Sequence, residues 1–404
     1  MESLPMTPPP PAQFDLAASG LRKLRMALTV AQSGRFSLAA DQLGVSQPAV
    51  TRAVASLEDA IGLALFDRST VHVAQTEAGT IVIGRAARAF AHLVGPDGSA
   101  NLVQASDHEL RALLATQEQR SIVRAARVLG LSPPAVSRSL LTLERRLGRK
   151  LYRRTRLGLL PEPGSETLTR RIKLAYSELR QAEDDLAVLV GRGKGRLSIG
   201  TLPIARSGLV PSATLATLDS FPDAEITLQD GTWDSLAQQL RDGDIDLVVG
   251  SIRRLDDDPG LTARTLFDDT IAIVAGAKHP LTGIPHPRLS DMLAYRWILP
   301  LQGVPLRTQF EALVTDSGGV LPDGIISTDS TAALRTFLLD SDRLAIAAHQ
   351  QVHDDVNRGL LSLLPIQVPR TRRAIGMTTR RDHTPTALFE CFVEKLVSAA
   401  ATYA

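Results

Sequence analysis

The chain has 404 residues, a hydrophobic fraction of 44% and a formal net charge of +2. Its length exceeds one ordinary domain and points to two or three, while the apolar fraction excludes a disordered chain. A single cysteine, Cys391, excludes an internal disulfide and a cysteine-built zinc site, and fits a reducing compartment.

The opening stretch MESLPMTPPPPAQF lacks a positive start and an apolar core, so it does not read as a secretory signal. Its proline run predicts a flexible tail over residues 1–18. No apolar run is long enough to span a bilayer, so a soluble cytoplasmic protein is expected.

Residues 19–95 and 106–164 then carry the same device twice. LGVSQPAVTRAVASLEDAIG from Leu43 matches LGLSPPAVSRSLLTLERRLG from Leu129, at an offset of 86 positions. In each copy a helix ends at a glycine, Gly44 or Gly130, suited to a helix C-cap. A serine, Ser46 or Ser132, stands where it can cap the next helix, with prolines tolerated in the first turn. Apolar residues recur at helical spacing: Val50, Val54, Leu57 and Ile61, then Val136, Leu140, Leu143 and Leu147. Helix, tight turn, helix is the helix-turn-helix. The repetition is a duplicated domain and not a solenoid.

A long helical pattern occupies residues 165–192. Leu168, Ile172, Ala175, Leu179, Ala182, Leu186 and Leu189 alternate steps of four and three, the seam of a coiled coil, and predict a dimerisation helix. A helix packed on its own chain is the alternative. GRGKG then reads as a hinge.

Residues 196–404 alternate short apolar runs with helical segments. Strands are expected at RLSIG, EITLQ, IDLVVG, TIAIVAG, WILP and RLAIAA, and helices at WDSLAQQLRDG and TAALRTFLLD. Such alternation predicts an α/β domain with mainly parallel strands, with ligands outside the carboxyl ends of the strands.

The stretches AARVLGLSPPAVSRSLLTLERRLGRKLYRR and AADQLGVSQPAVTRAVASLEDAIGLALFDR closely resemble the DNA-binding signature of the LysR-type transcriptional regulators. Downstream, GRLSIGTLP, LRDGDIDLVVG, LFDDTIAIVAGAKHPL and WILPLQGVPLRTQFE resemble that family's effector-binding domain. The resemblance runs from about Asp107 to the C-terminus. Among subgroups it is to regulators of sugar and aromatic-acid catabolism, in particular the galactose-binding-protein regulator group. Family members normally carry one helix-turn-helix, so the extra N-terminal copy is a departure.

The resemblance implies an α + α/β fold with two winged helix-turn-helix domains and a long coiled-coil linker helix. A two-lobed, periplasmic-binding-protein-like α/β effector domain would follow, with lobe I at about 196–275 and 352–404 and lobe II at about 276–351. It further implies a regulator of double-stranded DNA that needs no cofactor. A small effector, a sugar or an organic or aromatic acid, would bind between the lobes. A homodimer or homotetramer is implied, with RNA polymerase as a further possible partner.

Arginine and glutamine can read guanine and adenine edges, and prolines offer apolar contact. The candidate DNA-binding residues are therefore Gln47, Pro48, Thr51 and Arg52 in the first copy and Pro133, Pro134, Ser137 and Arg138 in the second. Beside the second lie Arg145, Arg146, Arg149, Lys150, Arg153, Arg154 and Arg156 against one acid, Glu144. The equivalent first stretch sets Glu58, Asp59 and Asp67 against Arg68. Phosphate neutralisation supplies much of DNA affinity, so the second copy is expected to be the main reader and the first accessory. Arg22, Lys23 and Arg25 could still lend the first copy phosphate contacts.

The candidate effector residues are Thr201, Thr232, Ser251, Val304, Pro305 and Ser330, at strand ends and helix starts where unpaired N–H groups suit anions and hydroxyls. Serines and threonines there also serve as plain caps, and Trp233 reads as core. His279 and His286 lack metal spacing, GRGKG lacks the phosphate-loop frame, and no G-x-S-x-G elbow occurs. No enzyme and no metal are therefore expected. The rival readings are a small-molecule binding protein that has lost DNA binding and an enzyme on the same type of sheet.

Overall fold

The repeat seen in the sequence is repeated in hydrogen bonds. The structure, a computed structural model, describes residues 16, 20–67, 73–94, 102–156, 158–192, 194–256, 258–365 and 373–403; the side chains of Arg154 and Pro305 lie outside that description. It divides into an N-terminal unit, residues 1–195 with 242–244, and a C-terminal unit, residues 196–241 with 245–404.

In the N-terminal unit the first copy runs α1 (Leu21–Ser33), α2 (Phe36–Leu43), α3 (Gln47–Ile61), the strand pair β1 (Phe66–Asp67) and β2 (Ala74–Gln75), and α4 (Glu77–Val94). The second runs α5 (Asp107–Gln119), α6 (Ile122–Leu129), α7 (Pro133–Leu147), the antiparallel pair β3 (Tyr152–Thr155) and β4 (Gly158–Pro161), and α8 (Ser165–Leu189). Glu58 accepts from the Leu65 N–H at 2.8 Å, and its equivalent Glu144 from the Leu151 N–H at 2.9 Å. Thr76 N–H donates to Leu65 at 3.0 Å, as Glu162 N–H does to Leu151 at 2.9 Å. Val73 N–H reaches Gly34 at 3.2 Å, as Leu159 N–H reaches Arg120 at 3.4 Å.

The expected glycine caps are present: Gly44 and Gly130 take left-handed φ values of 64° and 65°. The expected serine caps are not, since neither Ser46 nor Ser132 makes a side-chain capping bond. Proline in the first turn leaves fewer N–H groups to cap. The next one, on Ala49 or Ala135, already bonds the serine's own carbonyl at 2.9 Å.

One hydrophobic core serves both copies, from Leu24 and Val54 through Leu113 and Leu143 to Leu186. The seam of α8 is where the sequence reading is corrected. Leu168, Ile172, Ala175, Leu179, Ala182 and Leu186 are all buried inside this one chain, in the same core as Val82, Ala86, Phe90 and Leu93 of α4. Helix α4 lies antiparallel along α8: Arg85 reaches Asp185 while Arg171 reaches the carbonyls of His92 and Leu93. The partner that the seam meets in this chain is its own helix α4, as in the alternative of a helix packed on its own chain. Of the tail assigned to residues 1–18, only Leu16 is described; it is fully buried and its N–H donates to Glu183 at 2.9 Å.

Among its described residues the C-terminal unit contains two five-stranded sheets. Its elements in order are β5 (Arg196–Thr201), α9 (Leu209–Leu218), β6 (Glu225–Asp230), α10 (Trp233–Asp242), β7 (Leu247–Ser251), β8 (Leu261–Asp269) and β9 (Ile271–Gly276). After these come α11 (Leu289–Leu293), β10 (Trp297–Leu299), α12 (Pro305–Asp316), β11 (Ile326–Ser327), α13 (Thr331–Leu339) and β12 (Leu344–Ala348). The chain closes with α14 (His349–Asn357), β13 (Leu361–Leu364), β14 (Arg373–Arg380) and α15 (Ala387–Ala400). One sheet has the order β6-β5-β7-β14-β8 and the other β11-β10-β12-β9-β13. Strand β12, LAIAA, is buried along its whole length, as a central strand covered on both faces must be.

Two expectations are corrected here. Strands pair in parallel at β5–β6, β5–β7, β10–β11 and β10–β12, but antiparallel at β7–β14, β8–β14, β9–β12 and β9–β13. The sheets are thus mixed, because the chain passes from one to the other twice and returns reversed. Residues 271–275 and 361–364, placed in the first lobe by the sequence reading, hydrogen-bond in the second sheet. The crossings therefore fall at Thr270 and between Leu364 and Arg373.

Candidate nucleic-acid interface and ligand pocket

Helices α3 and α7 present their first turns outward. Gln47, Pro48 and Arg52 are exposed, as are Pro133, Pro134 and Arg138, while Val50 and Val136 point into the core. Thr51 and Ser137 are only half-exposed, and the Thr51 hydroxyl donates to the carbonyl of Gln47 at 3.1 Å.

Around α7 the basic residues Arg145, Arg146, Arg149, Lys150, Arg153 and Arg156 are exposed. Some already have acidic neighbours: Lys150 bonds Glu144 at 2.8 Å, Arg153 lies 3.4 Å from Glu162 and Arg146 lies 3.6 Å from Glu109. The cations of these pairs stand in solvent, where such pairs are weak and exchange readily for phosphate. Arg68 of the first copy lies outside the described residues, and Asp59 and Asp67 are exposed there. Lys23 is committed inward, donating to the Ser56 hydroxyl at 2.9 Å, so Arg22 is the exposed cation at the start of α1. Glu58 and Glu144 tie the helix to the following strand in both copies, so their carboxylates are structural.

Within the C-terminal unit a cavity of about 150 Å³ lies between the two sheets. Its wall is largely apolar, with Leu202 and Ile204 after β5, Leu299 at the end of β10, Leu301 and Val304 after it, and Leu334 and Ile346. Ser251, Thr328, Asp329, Ser330, Gln351 and Arg373 supply the polar groups, one of them acidic. Of the six candidate effector residues, the fold brings Ser251, Val304 and Ser330 to this cavity. Thr201 and Thr232 do not line it. Thr201 is buried and donates to the Asp230 carboxylate, and Thr232 accepts from the Ser235 N–H at 3.4 Å at the start of α10. The Pro305 side chain lies outside the described residues. Ser330 also caps α13, accepting from the Ala333 N–H at 3.2 Å.

The sequence reading missed Arg373 and Gln351. Arg373 is held by Asp269 at 3.2 Å, and Asp269 also accepts from the Gln350 N–H at 3.1 Å. Burial pushes the Asp269 carboxyl up, and the Gln350 N–H and Arg373 pull it back. Trp233 is half-buried core and His279 is buried with its Nδ1 accepting from the Leu281 N–H, so neither is a pocket residue. Among the described residues no cluster of His, Cys, Asp and Glu could hold a metal, and no helix is long and apolar enough to cross a membrane.

Comparison with known proteins places these features. Residues 191–401 match the LysR substrate binding domain, and residues 21–80 and 108–162 each match the bacterial regulatory helix-turn-helix protein, lysR family. The chain belongs to the LysR family of transcriptional regulators. It is a DNA-binding regulator with a C-terminal effector-binding domain. It is 32% identical over 376 residues to the HTH-type transcriptional regulator GalR of Pseudomonas putida, covering 91% of this chain and 94% of that one. With the regulator GbpR of Azospirillum brasilense it shares 30% identity over 241 residues, 59% of this chain and 70% of GbpR. A solved full-length OxyR variant from Pseudomonas aeruginosa shares the fold at a TM-score of 0.51 and 19% identity, with 72% of this chain covering 96% of that one. Nearly the whole of that OxyR is thus matched while over a quarter of this chain is left over.

Proposed function

We propose that this regulator contains two winged helix-turn-helix modules, of which the second supplies most of the DNA affinity, and that it answers to a small organic acid. The observation that carries the reading is the row of exposed arginines, Arg145, Arg149, Arg153 and Arg156, beside the exposed first turn of α7. A positive field of this kind draws in phosphates, and Arg138 then reads base edges. In the first copy Gln47, Pro48 and Arg52 are equally exposed, but Asp59 and Asp67 beside them oppose phosphate, which suits an accessory reader.

For the ligand, the apolar wall favours a compact hydrocarbon body over a polyhydroxyl sugar, and Arg373 supports a carboxylate. A cavity near 150 Å³ accepts about one benzene-sized ring. Binding would draw the two sheets together and so alter how chains associate through their effector domains, provided the ligand favours one arrangement over the other. A homo-oligomer acting on promoter DNA in the cytoplasm, with RNA polymerase within reach, completes the proposal. The test is thermal stabilisation of the C-terminal unit by a panel of aromatic and linear carboxylates, with hexoses as controls. Stabilisation by an acid that Arg373→Gln abolishes supports it; a response to hexoses alone overturns the acid assignment.

A further inference from the structure

We infer that a single chain carries both readers of one operator, so that the DNA partner of one chain is a two-part site with unlike halves. The inference rests on the reading of the second copy as a DNA-binding module and goes beyond it to the first.

The N-terminal unit contains an internal two-fold relation. At the offset of 86 positions, Arg85 is the equivalent of Arg171, and His92 is the equivalent of Glu178. Arg85 bonds the Glu178 carboxylate at 3.3 Å, and Arg171 donates to the His92 carbonyl at 2.9 Å. The same pair of equivalent positions meets from both sides, through a carboxylate in one case and a backbone carbonyl in the other, as positions do across a two-fold interface. The antiparallel course of α4 and α8 obeys the same symmetry. Leu21 and Asp107 are also equivalents, and they meet: the Leu21 N–H lies 3.3 Å from Asp107 Oδ2. A residue that touches its own equivalent lies on the axis. What two chains would build by pairing long helices is built here inside one.

Readers related by a two-fold axis suit a duplex, whose backbone has the same symmetry, and engage successive turns of one face. The two readers are chemically different. Gln47 and Arg52 bring donors and an acceptor for adenine and guanine edges, whereas Pro133 and Pro134 replace the glutamine side with apolar contact ahead of Arg138. The halves of the site must therefore differ. Because the first copy has fewer cations around its helix, its half contributes discrimination more than attraction.

The test uses the full-length protein and sites selected with it from random DNA. Hydroxyl-radical footprints and native mass spectrometry on the shortest bound duplex would be recorded for the unsubstituted chain, Arg52→Ala and Arg138→Ala. Both substitutions lie on exposed positions, and circular dichroism melts check that the folds persist. The expected result is two protected segments per bound chain, about one helical turn (roughly 10 base pairs) or a multiple apart. Arg52→Ala should lose one segment and Arg138→Ala the other, each binding roughly 10- to 100-fold more weakly. One protected segment per chain, or an Arg52→Ala footprint and affinity equal to the unsubstituted chain's, overturns the inference and leaves the second copy as reader. Unaltered specific binding by Arg138→Ala would instead remove the underlying assignment of the second copy.

Discussion

Arg85 is the residue on which the pairing of the two copies can be tested most sharply. It is 2% exposed, and its guanidinium lies 3.3 Å from Glu178 and 2.8 Å from Asp185, with Gln181 as a further acceptor. Arg85→Ala leaves two carboxylates on α8 without their buried guanidinium, with Arg88 bonding Glu178 at 2.9 Å. Breaking a buried pair by removing one partner costs about 3–5 kcal/mol. At roughly 2–4 °C per kcal/mol for a unit of this size, the N-terminal unit should melt about 6–20 °C lower. Hydrogen exchange along α4 and α8 in the variant assigns the loss to the helix pair, separately from the C-terminal unit. A loss under about 1 kcal/mol for Arg85→Ala would refute the account of a buried, charge-paired interface.

Three further outcomes are expected. A Cβ on Gly79 would sit 2.0 Å from the Leu65 carbonyl oxygen, whereas the equivalent Ser165 bonds the Leu151 carbonyl at 2.6 Å, so Gly79→Ser should destabilise the first copy by about 1–3 kcal/mol, read from urea unfolding, although serine is native in the second. Burial raises the Asp185 carboxyl above 3.8, against the pull of Arg85, so the folded state holds that proton more tightly than the unfolded one. Its contribution is then fully present below about pH 4 and is lost as pH rises through the raised value, and the stability gap between the native chain and Asp185→Asn should change over that range; a gap flat with pH contradicts the assignment. Replacing Arg149 and Arg153 by alanine should flatten the dependence of log K on log salt by about 0.9 for each phosphate that is no longer neutralised, with no change in the selected sequence; an altered sequence preference would show that they read bases.

Much of this was legible in advance for reasons that differ from element to element. The repeat, the glycine caps and the apolar faces of α3 and α7 depend on neighbours within one helical turn, so spacing alone reveals them. The seam of α8 was equally legible, but periodicity reports that a stripe is covered and says nothing of what covers it. The missing cover was written in Val82, Ile83, Ala86, Phe90 and Leu93, which share the helical spacing and went unread. Strand β14 escaped notice because RAIGMTTR carries threonines and arginines on a strand whose partners, β7 and β8, come from far earlier in the chain. The pocket was half legible. Thr232 and Ser330 both stand ahead of helices and both accept capping bonds, yet only Ser330 meets the cavity, since that depends on how two sheets fold toward each other. Arg373, placed by the second crossing, had no local pattern to announce it.

The helix pair α4–α8 has one more consequence, which concerns dilution. When two separate chains must meet through such a face, the folded pair is in equilibrium with its parts and its stability depends on protomer concentration. Here the halves are covalently joined, and the local concentration of one for the other is fixed by the intervening peptide. A cell holding a handful of these molecules therefore has as large a fraction of paired helix-turn-helix copies as a cell holding thousands, and scarcity cannot take them apart.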